Sequence, residues 1–413
     1  MAKSPTILQI VPRLDTGGAE LSALEINEAL VAAGGRSLVL TEGGRMADRV
    51  PAAGGELIEF PAGTKNPVRM LLNARALGRL MASEGVDLVH ARSRAPAWST
   101  LIAARRSGTP FVTTYHGAYG ERDPLKRLYN SVMARADIVI ANSRYTADLV
   151  RSRYGTPEST IRVIHRGVDM ARFDPAAICA GRIARLRAGW GIAADAPVIL
   201  QAARLTAWKG QRVLIEAVGQ LAASGRLGEA RVVLAGDDQG RHGYARELAE
   251  LATRLGIDDR VLLAGHVDDI AAAFAVAQVA VVASTEPEAF GRAAAEAQAL
   301  ACPVIATDIG APPETVRAMA RVGPDAATGW LVPPGDASAL AGAIGAALAL
   351  SPSERSAMGA RARSHIATRF TLSAMRRSTL AVYDQLLGTD LAARWDQFTS
   401  GKAIVALSGH PSS

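Results

Sequence analysis

The 413 residues are 49% hydrophobic with 5% aromatics and 39 glycines, which excludes a disordered chain and, at this length, favours two domains with a cleft over one core. Two cysteines, Cys179 and Cys302, lie far apart without a CxxC, excluding a disulfide framework or thiolate metal site and fitting a reducing cytoplasm. The net charge of +7 is uneven: residues 1–190 hold 26 Lys and Arg against 17 Asp and Glu, and residues 191–413 hold 20 against 22, a basic first half that fits nucleic acid, anionic lipid headgroups, an acidic acceptor or a merely solvated basic face.

Taken in chain order, short β-branched runs at 7–14, 37–42, 56–60, 87–91, 111–116, 138–143 and 161–165 alternate with amphipathic stretches such as 19–33 and 67–84. That order predicts an α/β fold, because parallel neighbours need long helical crossovers. The pattern restarts after 169–195. Strands are expected at 198–203, 230–235, 260–264, 279–284 and 303–306, with helices at 210–223 and 244–255. The domains are therefore set at 1–168 and 198–371, with a linker at 169–197 whose segment 176–191 reads as helical. A helix at 372–388 is expected to cross back to the first domain. The weakly periodic end at 389–413, rich in Ser, Gly and Pro at its close, reads as a mobile tail. No apolar run is long enough for a signal segment or a membrane span.

The strongest constellation is Glu288-Ala-Phe-Gly291-Arg-Ala-Ala-Ala-Glu296, after the strand ending near Ser284 and at the start of an Ala-rich helix. A strand-loop-helix with glycine at the turn aims free backbone N–H groups and the helix dipole at an anion. The amides of Phe290, Gly291 and Arg292 are candidates to face phosphates. At about 1.5 Å of rise per residue, two carboxylates eight residues apart span roughly 12 Å, enough to bracket a diphosphate. Arg204 and Lys209 follow the first strand of the second domain, where open α/β sheets bind ligands, and their charges suit a leaving diphosphate. In the first domain, Gly17 and Gly18 open a helix after the first strand, with Thr16 as its N-cap, and His116 ends the strand FVTTYHG. Gly236-Asp237-Asp238, His266-Val267 and Ser143 also sit at strand ends. No HExxH, GxSxG, Walker A or Asp-x-Asp pattern occurs, so no metal is expected. Without GxGxxG, an NAD-dependent oxidoreductase or epimerase is disfavoured.

Together, GGAE at 17–20, HG at 116–117, RLTAWKG at 204–210, GDD at 236–238, GHVDD at 265–269 and the block 288–314 resemble family 4 of the retaining glycosyltransferases. The likeness covers roughly 5–388. It implies two facing Rossmann-like domains of the GT-B type, with a nucleotide diphosphate sugar held in the interdomain cleft, mainly by the second domain. By this resemblance Glu288 contacts the donor sugar, Glu296 the ribose, and Arg204 and Lys209 the diphosphate; His116 lies near the transferred sugar, and Gly17 and Gly18 face the donor phosphate or acceptor. It also implies same-face substitution assisted by the leaving phosphate. Arg166, where Asn is common, and Gln298 and Leu300 depart from the family pattern. The His-Arg-Gly-Val-Asp variant is similar to enzymes of lipopolysaccharide or surface-glycan synthesis, so a glycan or lipid-linked acceptor is expected. Segment 123–136, with Lys126, Arg127 and Arg135 beside apolar neighbours, is expected to meet an anionic membrane surface peripherally. A nucleic-acid partner is not expected. The rival from another class is a nucleotide-sugar-binding regulator without transfer activity.

Overall fold

The computed structural model describes residues 4–15, 17–121 and 123–408, the side chains of 402–408 excepted. The chain divides into two compact units, Met1–His165 with Ser373–Ser413, and Arg166–Leu372. Each is a Rossmann-like α/β domain built on a parallel sheet.

In unit 1 the strands are β1 (Thr6–Ile10), β2 (Arg36–Thr41), β3 (Glu56–Glu59), β4 (Leu88–Ala91), β5 (Phe111–Tyr115), β6 (Ile138–Ala141) and β7 (Ile161–Val163). They lie in the order β3-β2-β1-β4-β5-β6-β7, all parallel. Every residue of β1, β4, β5 and β6 is buried, as expected of a parallel sheet covered on both faces.

Unit 2 repeats the scheme with β8 (Val198–Ala202), β9 (Arg231–Ala235), β10 (Val261–Gly265), β11 (Val279–Val282), β12 (Val304–Thr307) and β13 (Gly329–Val332), in the order β10-β9-β8-β11-β12-β13. Alternation along β8 decides the two cores. Val198 and Leu200 pack with Phe274, Ala294 and Ala297 on one face. Ile199 joins Leu214, Ile215 and Leu248 on the other. β13 is the strand that the sequence pattern does not show.

Residues 169–197 form no free linker. Phe173, Ile178, Ile192 and Ala196 are buried in the core of unit 2, and the helix Ala180–Gly189 is tied down by Arg182, which donates to both oxygens of Asp269 at 2.6 and 2.9 Å. The division falls instead at His165/Arg166 and Leu372/Ser373.

The expected tail is also corrected. Leu391–Ser408 is a helix, with Leu391, Ala392 and Trp395 buried. Asp384, on the preceding helix Leu372–Leu387, accepts from the amides of Leu391 and Ala392 at 2.7 and 2.8 Å. This satisfies donors that a helix start leaves open. Residues 409–413 lie outside the described residues.

Candidate active site

In unit 2, β8 has β9 on one side and β11 on the other, so the chain leaves β8 in one direction and returns to its far side for β11. The carboxyl ends of these two strands form the topological switch point, where open sheets leave a crevice. Lys209 follows β8 and Glu288 follows β11. The Lys209 ammonium lies 2.7 Å from Glu288 Oε1, with the two side chains 17% and 11% exposed. Ser284, at the end of the β11 segment, donates its hydroxyl to the same oxygen. Among the described residues both hydrogen bonds to this carboxylate fall on Oε1, which leaves Oε2 able to accept from a hydroxyl. Lys209 Nζ also sits 4.3 Å from the centroid of the Trp208 ring, a cation–π contact that fixes the ammonium from a second side.

Backbone contacts set these side chains. Thr285 N donates to Trp208 O at 2.8 Å, and Gln201 on β8 donates its amide to Lys209 O at 2.6 Å, so the two loops are strapped together. Gly210 closes the first loop at φ +71, where a Cβ would stand 1.9 Å from Ala283 O; only glycine meets both demands. Glu288 itself forms a parallel bridge with Gly310, and Ala311 N donates to Glu288 O at 2.9 Å. Glu288 is therefore held by a bridge beyond the ends of β11 and β12 and not by a helix, and helical rise does not measure its distance to Glu296.

The helix Arg292–Ala299 starts after Gly291, at φ +81. Phe290 is buried, its ring 6.1 Å from that of Phe370. Glu296 is 13% exposed, and the guanidinium of Arg292 lies on it at 2.7 Å. Arg204 is exposed and turned to Gln239 at 3.5 Å. The structure thus brings Lys209, Glu288 and Ser284 together and pairs Arg292 with Glu296, while Arg204 points to the neighbouring loop. Sequence reasoning did not assign Ser284 and Trp208 to the site. The signal for Ser284 was an apolar strand ending in a hydroxyl four residues before the acid.

The other strand-end polar residues bond within their own loops or at helix starts. Asp237 and Asp238 accept from the amides of Gln239 and Gly240 at 2.7 and 3.0 Å, and the Gly240 bond leads the effects that hold the Asp238 carboxyl below its usual range. Asp269 caps the helix Ile270–Val276 at Ala272 N. His266 contacts Asp268 at 3.1 Å. Ser143 forms a capping box with Thr146 at the start of Arg144–Tyr154. Among the described residues no three His, Cys, Asp or Glu side chains cluster so as to hold a metal ion.

In unit 1, Gly17 has an extended backbone and Gly18 opens the helix Gly18–Ala32, beyond the end of β1; Thr16, the expected N-cap, lies outside the described residues. His116 follows β5 and is half-buried. Nearby, His90 is fully buried between the Tyr383 hydroxyl and Thr114 Oγ1, both at 2.7 Å. Burial, then Arg92 and His116, push its pKa well below 6.5.

Comparison with known proteins decides the family. The Glycosyltransferase Family 4 profile matches residues 16–172, and that of Glycosyl transferases group 1 matches 183–365. A D-inositol 3-phosphate glycosyltransferase of Xylanimonas cellulosilytica is 34% identical over 404 residues, covering 90% of this chain and 92% of that one. The chain is a family 4 glycosyltransferase. A glycosyltransferase structure from Rickettsia africae superposes on the transferase with TM-score 0.85 at 31% identity, covering 94% of this chain and 100% of that one. Anabaena HepE, solved in complex with UDP-glucose, gives TM-score 0.78 at 25% identity, covering 92% and 99%. These likenesses establish the GT-B fold for the transferase, and the matched residues include both halves of the Lys209–Glu288 pair.

Proposed function

We propose that the enzyme transfers a hexose from a nucleotide diphosphate sugar to a hydroxyl of an anionic acceptor, with retention of configuration and without a metal ion. The observation that carries this reading is the Lys209–Glu288 pair at 2.7 Å on the switch point of unit 2, with Oε2 of Glu288 open to a sugar hydroxyl. Anabaena HepE, which holds UDP-glucose in its structure, supports a uridine donor. Arg204 and Lys209 supply positive charge for the diphosphate as it leaves. Glu296, with Arg292, is assigned to the ribose, and the amides of Phe290, Gly291 and Arg292 to the phosphates. His116, Gly17 and Gly18 of unit 1 are assigned to the transferred sugar and acceptor.

The acceptor oxygen bonds to C1 of the hexose on the face from which the diphosphate departs. The C1–O bond to the β-phosphate breaks, and the acceptor proton passes to the leaving phosphate oxygen. Glu288 is bound to Lys209 and Ser284 through one oxygen and serves as an acceptor of hydroxyl bonds. This division of labour needs no separate general base.

The names of the relatives, D-inositol 3-phosphate glycosyltransferases, support a phosphate-bearing polyol as acceptor. The second reading is a glycan or lipid-linked acceptor reached by a peripheral enzyme at an anionic membrane, and exposed Leu125 and Leu128 beside Lys126 and Arg127 favour it. The lipopolysaccharide enzyme WaaG, at 20% identity and TM-score 0.70, shares the fold alone.

The test is transfer from UDP-, GDP- and ADP-hexoses, in chelator, to inositol phosphate or to a membrane extract, with the anomeric configuration of the product read by NMR. One nucleotide class, chelator-insensitive turnover and an unchanged anomeric configuration are expected. Inversion, or strict dependence on a divalent ion, would overturn the mechanism.

A further inference from the structure

One face of unit 1 carries the helices Pro67–Ser83, Arg94–Ser107 and Pro124–Ser131. The central helix holds one neighbour on each side. Ser99 donates its hydroxyl to Met70 O at 2.9 Å, while Trp98 Nε1 donates to Tyr129 O at 3.1 Å and Arg94 to Asn130 Oδ1 at 2.7 Å. Together the three helices contain eight Arg and Lys and no Asp or Glu.

The two flanking helices also expose apolar side chains: Val68 is 66% exposed, Leu71 48%, Leu72 55%, Leu125 79% and Leu128 52%. Among the described residues these are five of the nine large apolar side chains exposed to this degree. Single exposed leucines are ordinary on a protein surface. Five on the two helices that flank Arg94–Ser107, with basic residues on all three helices, call for a partner that is both apolar and anionic. Beside Leu128, a groove of about 640 Å³ is lined by Arg127, Arg135 and Arg153, and Arg135 lies 5.3 Å from the Trp98 ring centroid.

We propose that this face docks on an anionic lipid bilayer. Val68, Leu71, Leu72, Leu125 and Leu128 enter the acyl boundary, Arg69, Arg75, Lys126 and Arg127 meet headgroup phosphates, and the arginine-lined groove seats one headgroup. A nucleic acid would answer the charge and leave the leucines wet. A second copy of the chain would cover the leucines and set like charge against like charge. An anionic bilayer answers both features. The surface deepens the second acceptor reading above and lies wholly in unit 1, so its test is separate from donor chemistry in unit 2.

The experiment is cosedimentation of the full chain with vesicles of phosphatidylcholine alone and of phosphatidylcholine mixed equally with phosphatidylglycerol, at low and high salt. Binding at least about tenfold stronger to the anionic vesicles, weakened by salt, is expected. Leu125→Glu with Leu128→Glu, and separately Arg69→Glu with Arg75→Glu, should each lower that binding about tenfold or more while the circular-dichroism melt stays in place. Two variant sets at exposed positions keep the result readable if one set folds poorly. Equal binding to both vesicle types, or full binding by both variants, overturns the proposal. So does a concentration-dependent dimer that the leucine variant abolishes, or retention on RNA without retention on lipid. Loss of vesicle binding with hexose transfer to a soluble acceptor intact separates this surface from the donor site.

Discussion

The two units start alike and diverge at the same point of the sheet. β1 and β8 each carry Ile-Leu-Gln, with Gln9 and Gln201 both buried, and each strand lies between the second and the fourth strand of its unit. In unit 1 the cation after the fourth strand, Arg92, is 2% exposed and turns inward, donating to Gln9 at 3.1 Å and to Ser22 at 3.4 Å. In unit 2 the residues in this region are Lys209 and Glu288, which stay at the crevice and bond each other. Gln201 there supports the backbone of Lys209. One topology thus turns its switch-point charge into its own core, and the other keeps it at the crevice, paired. A shared fold does not settle where the chemistry lies; the partners of the strand-end side chains do.

Four outcomes would sharpen or break that contrast. The largest expected effect is on turnover. Lys209→Ala and Glu288→Ala should each lower kcat by about a hundred- to a thousandfold with the fold retained, and near-normal rates in both would remove the pair from the mechanism. Next, Tyr383→Phe leaves a buried nitrogen of His90 without its partner and should destabilise unit 1 by about 1–3 kcal/mol, read by thermal or urea unfolding. Nucleotide affinity should not change.

Third is a pH dependence. His90 and His365 both have pKa values lowered from 6.5, chiefly by burial. The unfolded chain therefore binds protons first. Stability should be constant above about pH 7 and fall as the pH drops through 6.5, by up to about 1.4 kcal/mol per unit for each histidine. Paired carboxylates such as Glu56, depressed from 4.5 by Arg36, contribute their loss only at lower pH. A melting temperature flat from about pH 7 to 5 would contradict the assignment. The smallest effect is Ser284→Ala, which frees Glu288 to turn and should cost about tenfold in rate or less. An effect as large as that of Glu288→Ala would place Ser284 among the groups touching substrate.

Much of this was legible in the sequence because the signals are local. Parallel strands bury both faces and read as apolar β-branched runs, and Glu288, Gly291 and Lys209 lie on loops fixed by those strands. What escaped depends on distant partners. β13 is only Gly-Trp-Leu-Val, too short for a pattern. The helix Leu391–Ser408 has Thr399 and Gly401 within it, and its start is capped by Asp384 from the previous helix. The core position of 169–197 comes from packing against Ile270–Val276 and the sheet, which no local pattern announces. His90 meets Tyr383 across 293 residues of chain. The basic helices of unit 1 show that they share a face only once Met70 and Tyr129, on different helices, are both seen bonded to Arg94–Ser107.

In the proposed reaction, unit 2 holds the donor through Lys209 and Glu288. Calorimetric titration of the wild-type enzyme and of Lys209→Ala with UDP, GDP and ADP, all in chelator, tests it most directly. One nucleotide diphosphate is expected to bind, and Lys209→Ala to weaken it by about tenfold or more. Binding of no nucleotide diphosphate, or equal binding by the variant, would contradict it.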